Sequence, residues 1–156
     1  LADFYKKQAM DVIVGIPLMD KNGDSERFST GSAPTLFWLM IYNLHLGSFL
    51  KAPQIDWVSG GSLFVPRKLF TQLFGFSRDF FLYFEDVDFC VRAKFLGASV
   101  RLSPVGSFVH GGGKSFVSVS QQKKRYYAAQ SIYFKKYRPK HESLFVNLLH
   151  FVFHGV

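Results

Sequence analysis

Residues 80–88 set five bulky apolar side chains, Phe80-Phe81-Leu82-Tyr83-Phe84, directly against three carboxylates, Glu85, Asp86 and Asp88. Apolar residues recur at Phe84, Val87, Val91 and Phe95, spacings of three and four that predict an amphipathic helix through Leu96, ended by Gly97. The chain must therefore start a helix on an acidic cluster at the edge of a core. Carboxylates crowded there repel one another and lose water, which raises at least one pKa and poises a general base. Ordinary capping explains the same residues, with Asp86 at the N-cap, Asp88 in the first turn and Asp88 paired with Arg92 one turn on. Both readings can hold together.

The surrounding pattern alternates strands and helices, which favours an α/β layer architecture. Leu1–Met10 reads as a helix end, Val12–Ile16 as a buried strand stopped by Pro17, and Asp20–Asp24 as a turn. A surface loop follows over Arg27–Thr35. Leu36–Leu50 is strongly apolar without an acid or lysine, a buried helix or a segment lying on an apolar surface. Its 15 residues fall short of the roughly 20 needed to span a bilayer. Asp56–Val65 reads as two strand pieces hinged on Gly60-Gly61. Pro66 is expected at the first position of a two-turn helix that Gly75 closes. Two short strands, Ser99–Leu102 and Ser107–His110, flank Pro104, and a glycine loop follows at 111–113. Ser118–Tyr137 reads as a basic aromatic helix, and Ser143–Val156 carries apolar residues on nearly every side. A boundary is expected at residue 117, between an α/β part and a C-terminal helical part.

A hydrophobic share of 48% with 19% charged residues excludes disorder. The single cysteine, Cys90, excludes an intrachain disulfide and a cysteine zinc cage, and points to a reducing compartment. Charge is segregated. Residues 1–88 hold eight basic and ten acidic side chains, whereas residues 89–141 hold eleven basic ones and no carboxylate. A one-signed field of this kind attracts phosphates, nucleic acid or an anionic lipid surface, or serves only as a solvated face. With the apolar tail, it leads us to expect peripheral attachment to the cytoplasmic face of a membrane. The alternative for the tail is a helix covering the sheet or packing on a second copy, and the many apolar residues favour a homo-oligomer.

Three further features are candidates for chemistry. His110 ends a strand before three glycines and can ligate a metal, or be a hydrogen-bonded structural residue. Gly60 and Gly61 after Trp57 form a bulge, or let a substrate lie against the backbone. Asp86-x-Asp88 is a D-x-D string of the kind that binds a divalent metal, short enough to arise by chance.

In order along the chain, Asp56-Trp57-Val58-Ser59-Gly60-Gly61-Ser62-Leu63-Phe64-Val65-Pro66-Arg67, Phe74-Gly75-Phe76, Phe80-Phe81, Tyr83-Phe84-Glu85-Asp86-Val87-Asp88-Phe89-Cys90-Val91-Arg92, Gly97 and Val109-His110-Gly111 resemble the C-terminal half of glycosyltransferase family 2. The likeness is strongest to its rhamnosyltransferase-like and galactofuranosyltransferase-like branches, and covers about residues 12–137. It implies a partial GT-A fold, a mixed sheet with flanking helices, followed by C-terminal helices. It implies an inverting transferase that moves a sugar from a nucleotide-sugar donor to a saccharide or lipid-linked saccharide acceptor. By the same resemblance Asp86 is the base, Glu85 holds the acceptor, and His110 completes the coordination of Mg²⁺ or Mn²⁺. Trp57, Gly60 and Gly61 line the cleft, while Asp88 and Arg92, counted with the substrate-binding set, orient the helix.

The sequence departs from the family pattern twice. The family's metal-binding D-x-D lies upstream of everything matched, and residues 1–55 contain none, so an upstream half is expected to complete the nucleotide pocket. Ser77 stands where relatives carry Asp. A non-catalytic basic module binding nucleic acid, anionic glycan or membrane is the alternative function, with aromatic and basic residues of helix 118–137 as its binding face.

Overall fold

The computed structural model describes residues 12–26, 29–43, 54–110 and 118–154. The expected helix end at 1–10, the rest of the apolar segment at 44–50, the glycine loop at 111–113 and the boundary at 117 lie outside the described residues. In chain order the strands are β1 (Val12–Gly15), β2 (Leu18–Met19), β3 (Thr30–Gly31), β4 (Trp57–Val58), β5 (Leu63–Phe64), β6 (Ser99–Leu102) and β7 (Phe108–Val109). The helices are α1 (Leu36–Asn43), α2 (Arg67–Gln72), α3 (Glu85–Phe95), α4 (Val119–Tyr137) and α5 (Lys140–His154). Two compact units share them. Among the described residues, one draws on 12–26, 29–33, 54–77 and 85–110, the other on 34–43, 78–84 and 118–154.

In the first unit β1 is buried along its whole length, as a continuous apolar run should be. It runs parallel to β6, with Ile13 opposite Val100, and antiparallel to β5, with Gly15 opposite Leu63. The result is a mixed three-stranded sheet in the order β5-β1-β6. A Cβ at Gly15 would stand 2.6 Å from Val58, so only glycine lets β1 pass this close. The core gathers Ile13, Val58 and Val100 from the strands with Leu69 of α2 and Phe89, Cys90 and Ala93 of α3.

The stripe expected on α3 holds at its start, where Phe84 and Val87 are buried, and fails at its end, where Phe95 is 76% exposed; the core cluster takes Phe89, Cys90 and Ala93. With Asp86 these occupy i, i+3, i+4 and i+7, a single helix face. Cys90 and Ala93 are small, which lets α3 lie close to β4 and β6. Asp86 thereby continues the core-facing row at its N-terminal end.

Asp86 is also not the N-cap, because α3 begins at Glu85. Tyr83 and Phe84 before it take left-handed φ values of 66° and 64°, costly for bulky residues, and the helix starts immediately after them. Pro66 stands at the N-cap of α2, one position earlier than expected. Gly75 follows that helix at φ 71°, beside Phe74 at 57°. The turn at Asp20 is as expected: its carboxylate accepts from the amides of Asn22 and Asp24 at 2.8 and 3.0 Å.

The second unit is built on the hairpin of α4 and α5. Ser118 caps α4 by accepting from the Gln121 amide. Ala129, Tyr133, Phe134 and Val146 are buried. Arg138 holds Glu142 through two hydrogen bonds across the turn, and Glu142 also accepts from the Leu36 amide of α1. Those bonds, that from Arg138 first, hold the Glu142 carboxyl below its ordinary value. His150 is buried between Gln130 and Ser131 of α4, its Nε2 2.7 Å from Gln130 Oε1. The hairpin helices therefore run in opposite directions.

Candidate active site

The first unit brings four of the predicted residues together around a short helical turn, Gly60–Ser62. The turn is tied down at both ends. The Ser59 amide donates to Ser29 O, and buried Ser62 exchanges two hydrogen bonds with the backbone of Ile16 at the end of β1. Ser59 Oγ accepts from the Gly61 amide. On one side of the turn Asp86 Oδ2 accepts from the Gly60 amide at 2.9 Å, and on the other the ring of His110 faces Gly61. A Cβ at Gly60 would lie 3.9 Å from Asp86 Oδ2, and one at Gly61 3.8 Å from His110 Nε2. A methyl at either glycine would make ordinary contact with these side chains, so the bare turn leaves room beside the carboxylate and beside the imidazole.

Asp86 Oδ1 accepts from the Val87 amide at 2.8 Å, so each oxygen has one donor and keeps lone pairs for a further proton. Burial pushes the Asp86 carboxyl above its ordinary value, while the Gly60 and Val87 amides pull it back. Burial likewise raises Glu85, with the charge of Asp86 adding to it. Glu85 Oε2 is buried and has no hydrogen-bond partner among the described residues, a costly state that a ligand hydroxyl would relieve.

A raised carboxyl pKa means that the folded protein holds the proton more tightly than the unfolded chain. Stability from this source is complete below the ordinary value of 4.5 and is lost as pH rises through the folded value. Glu85→Gln should therefore melt at a higher temperature than the parent at neutral pH, with the difference closing towards about pH 4. Thermal unfolding at the two pH values checks this, and an unchanged difference contradicts it.

His110 is exposed at the end of β7, where its amide donates to Met19 O. Its Nδ1 lies 2.8 and 3.0 Å from the two carboxylate oxygens of Glu26. The contact fixes the imidazole through Nδ1 and leaves Nε2 as the nitrogen open to a ligand, as a carboxylate does for a metal-binding histidine. Nothing in the sequence marks Glu26 for this task, since it lies 84 residues away in a loop.

The other predicted residues are committed elsewhere. Trp57 donates its indole N–H to Ser32 O, with its ring over Gly31. Asp88 is fully buried and pairs with Arg92. Arg92 gives Nε to Asp88 at 2.7 Å, Nη1 to Leu73 O and Nη2 to Gly75 O. Through these bonds the pair holds α3 to the loop after α2. Among the described residues no group of three His, Cys, Asp or Glu is placed to hold a metal.

A surface hollow of about 400 Å³ opens beside Gly60, lined by Leu63, Val65, Arg67, Phe70 and Phe76. Phe70 and Phe76 pack edge to face and both touch Phe89, which steadies that wall. The sequence reading assigned no role to Arg67 or Phe70.

A model of the family described as glycosyl transferase family group 2 matches residues 1–156. A curated relative, "Rhamnosyltransferase WbbL" of Escherichia coli (strain K12), is 30% identical over 56 residues, 36% of this chain and 21% of the relative. The matched stretch thus spans about a fifth of that relative's length. No solved structure matches. The mixed sheet with flanking helices is consistent with a GT-A-like fold.

Proposed function

This chain belongs to glycosyl transferase family group 2, and from that premise we propose that it carries the acceptor side of an inverting sugar transfer from a nucleotide-sugar donor. The observation that supports the reading is the glycine turn with Asp86 on one side and His110 on the other. The acceptor, a saccharide or lipid-linked saccharide, lies in the hollow beside Gly60 with a hydroxyl near Asp86. Asp86 takes the hydroxyl proton as the oxygen attacks the anomeric carbon from the face opposite the leaving nucleoside diphosphate. The new glycosidic bond forms as the bond to the diphosphate breaks, and the configuration inverts. Glu85 Oε2 holds the acceptor, and Phe70 and Phe76 offer ring faces to a sugar.

His110 Nε2 is the single ligand that this cluster offers a Mg²⁺ or Mn²⁺ ion, whose chemistry when bound is to neutralise a leaving diphosphate. Glu26 fixes the imidazole for that role. The test is a thermal-shift titration of the chain with Mn²⁺ and a series of nucleoside diphosphates, repeated with His110→Ala. Stabilisation should need metal and nucleotide together and vanish in the variant. Stabilisation that His110→Ala leaves intact removes that residue from the donor site. Steeply salt-dependent oligonucleotide binding with no nucleotide effect replaces the proposal with a non-catalytic basic module.

A further inference from the structure

The second unit has a helix whose apolar residues face outward. On α5, Val146 and His150 are buried against α4, yet Leu144, Phe145, Leu148, Phe151 and Val152 are exposed, Leu144 and Phe151 by about 70% each. These five sit at i, i+1, i+4, i+7 and i+8, a single helical stripe. The unit that carries the stripe is strongly basic. Because the hairpin helices run in opposite directions, Lys123 and Lys124 lie towards the far end of α5, while Lys135 and Lys140 lie at its near end. None of these four lysines has an acidic partner among the described residues. The described part of this unit carries eight basic side chains against Asp79 and Glu142.

We propose that the outward face of α5 docks on an anionic lipid bilayer, with the helix lying in the plane of the surface. Leu148 and Phe151 enter the acyl boundary, and the lysines at both ends meet the headgroups. The fifteen residues of α5 make a helix of about 22 Å, shorter than the roughly 30 Å hydrocarbon core. Among the described residues no helix is long and apolar enough to cross. Charge selects this occupant over two others. A second copy would bring two strongly positive units face to face, and a nucleic acid has no apolar surface to cover Leu144 or Phe151. The inference does not depend on sugar transfer.

The test is flotation of the full chain with vesicles of phosphatidylcholine and phosphatidylglycerol, against phosphatidylcholine alone, at low and high salt. The chain should float with the anionic vesicles at low salt and much less with neutral ones. Leu148→Ser with Phe151→Ser should cut binding at least about tenfold without changing the far-ultraviolet circular dichroism, because both side chains are exposed. A probe at Leu148→Cys should show a blue-shifted emission on the anionic vesicles. Equal flotation of the double serine variant overturns the proposal. So does wild-type protein that ignores vesicles but forms a dimer that the serine pair dissociates.

Discussion

Asp86→Asn is expected to lower the rate of sugar transfer by about 10²–10⁴-fold while leaving the chain folded. The amide keeps the shape of the side chain and one acceptor oxygen. It cannot take a proton, and its nitrogen cannot accept from whichever of the Gly60 and Val87 amides it faces. The loss should fall on kcat, because the residue proposed for the donor side is His110 and not Asp86. The parent should show an acid limb in its rate profile above the ordinary aspartate value of 3.8, since burial raises the Asp86 carboxyl. Measurement of kcat and KM for donor and acceptor separately, with the pH profile, checks both points. Full transfer by the asparagine variant removes Asp86 as the base.

Arg92→Ala should be the most destabilising exchange in the first unit, by about 3–5 kcal/mol. It removes the guanidinium from a carboxylate with no exposed surface and takes a donor from each of the Leu73 and Gly75 carbonyls. For a chain of this length the melting temperature should fall by on the order of 10 °C. Arg92→Lys retains the charge but not the planar fork, so it should fall between the two. Because Phe70 and Phe76 flank the held loop, the alanine variant should also raise the acceptor KM. A fall of less than about 2 °C would show that the ion pair does not hold the loop.

Where local chemistry decides the outcome, the sequence was readable. The Val12–Ile16 run forms β1, Asp20 makes its turn, the 118–137 stretch forms α4, and Asp88 pairs with Arg92. Expectation failed where distant parts of the chain choose between local options. On α3 the buried surface runs beyond Val87 to Phe89, Cys90 and Ala93, and the strands that select them come from either side in sequence. Asp86 lost the N-cap because the left-handed pair Tyr83-Phe84 brings the helix start forward, a cost that no spacing reveals. The order of motifs drew attention to Asp86, the glycine pair and His110. Glu26, which orients that histidine across 84 residues, and Arg67 and Phe70 beside the hollow could be found only in three dimensions.

Cys90 sits in the core with no exposed surface, and burial pushes its thiol up to about 12. A thiol so placed is neither a thiolate at neutral pH nor within reach of a reagent. With no other cysteine in the chain, any cysteine introduced at the surface becomes a unique chemical handle without first removing the native one. A spin label or fluorophore can thus be walked along α5 one position at a time, reporting depth residue by residue on an otherwise unaltered protein.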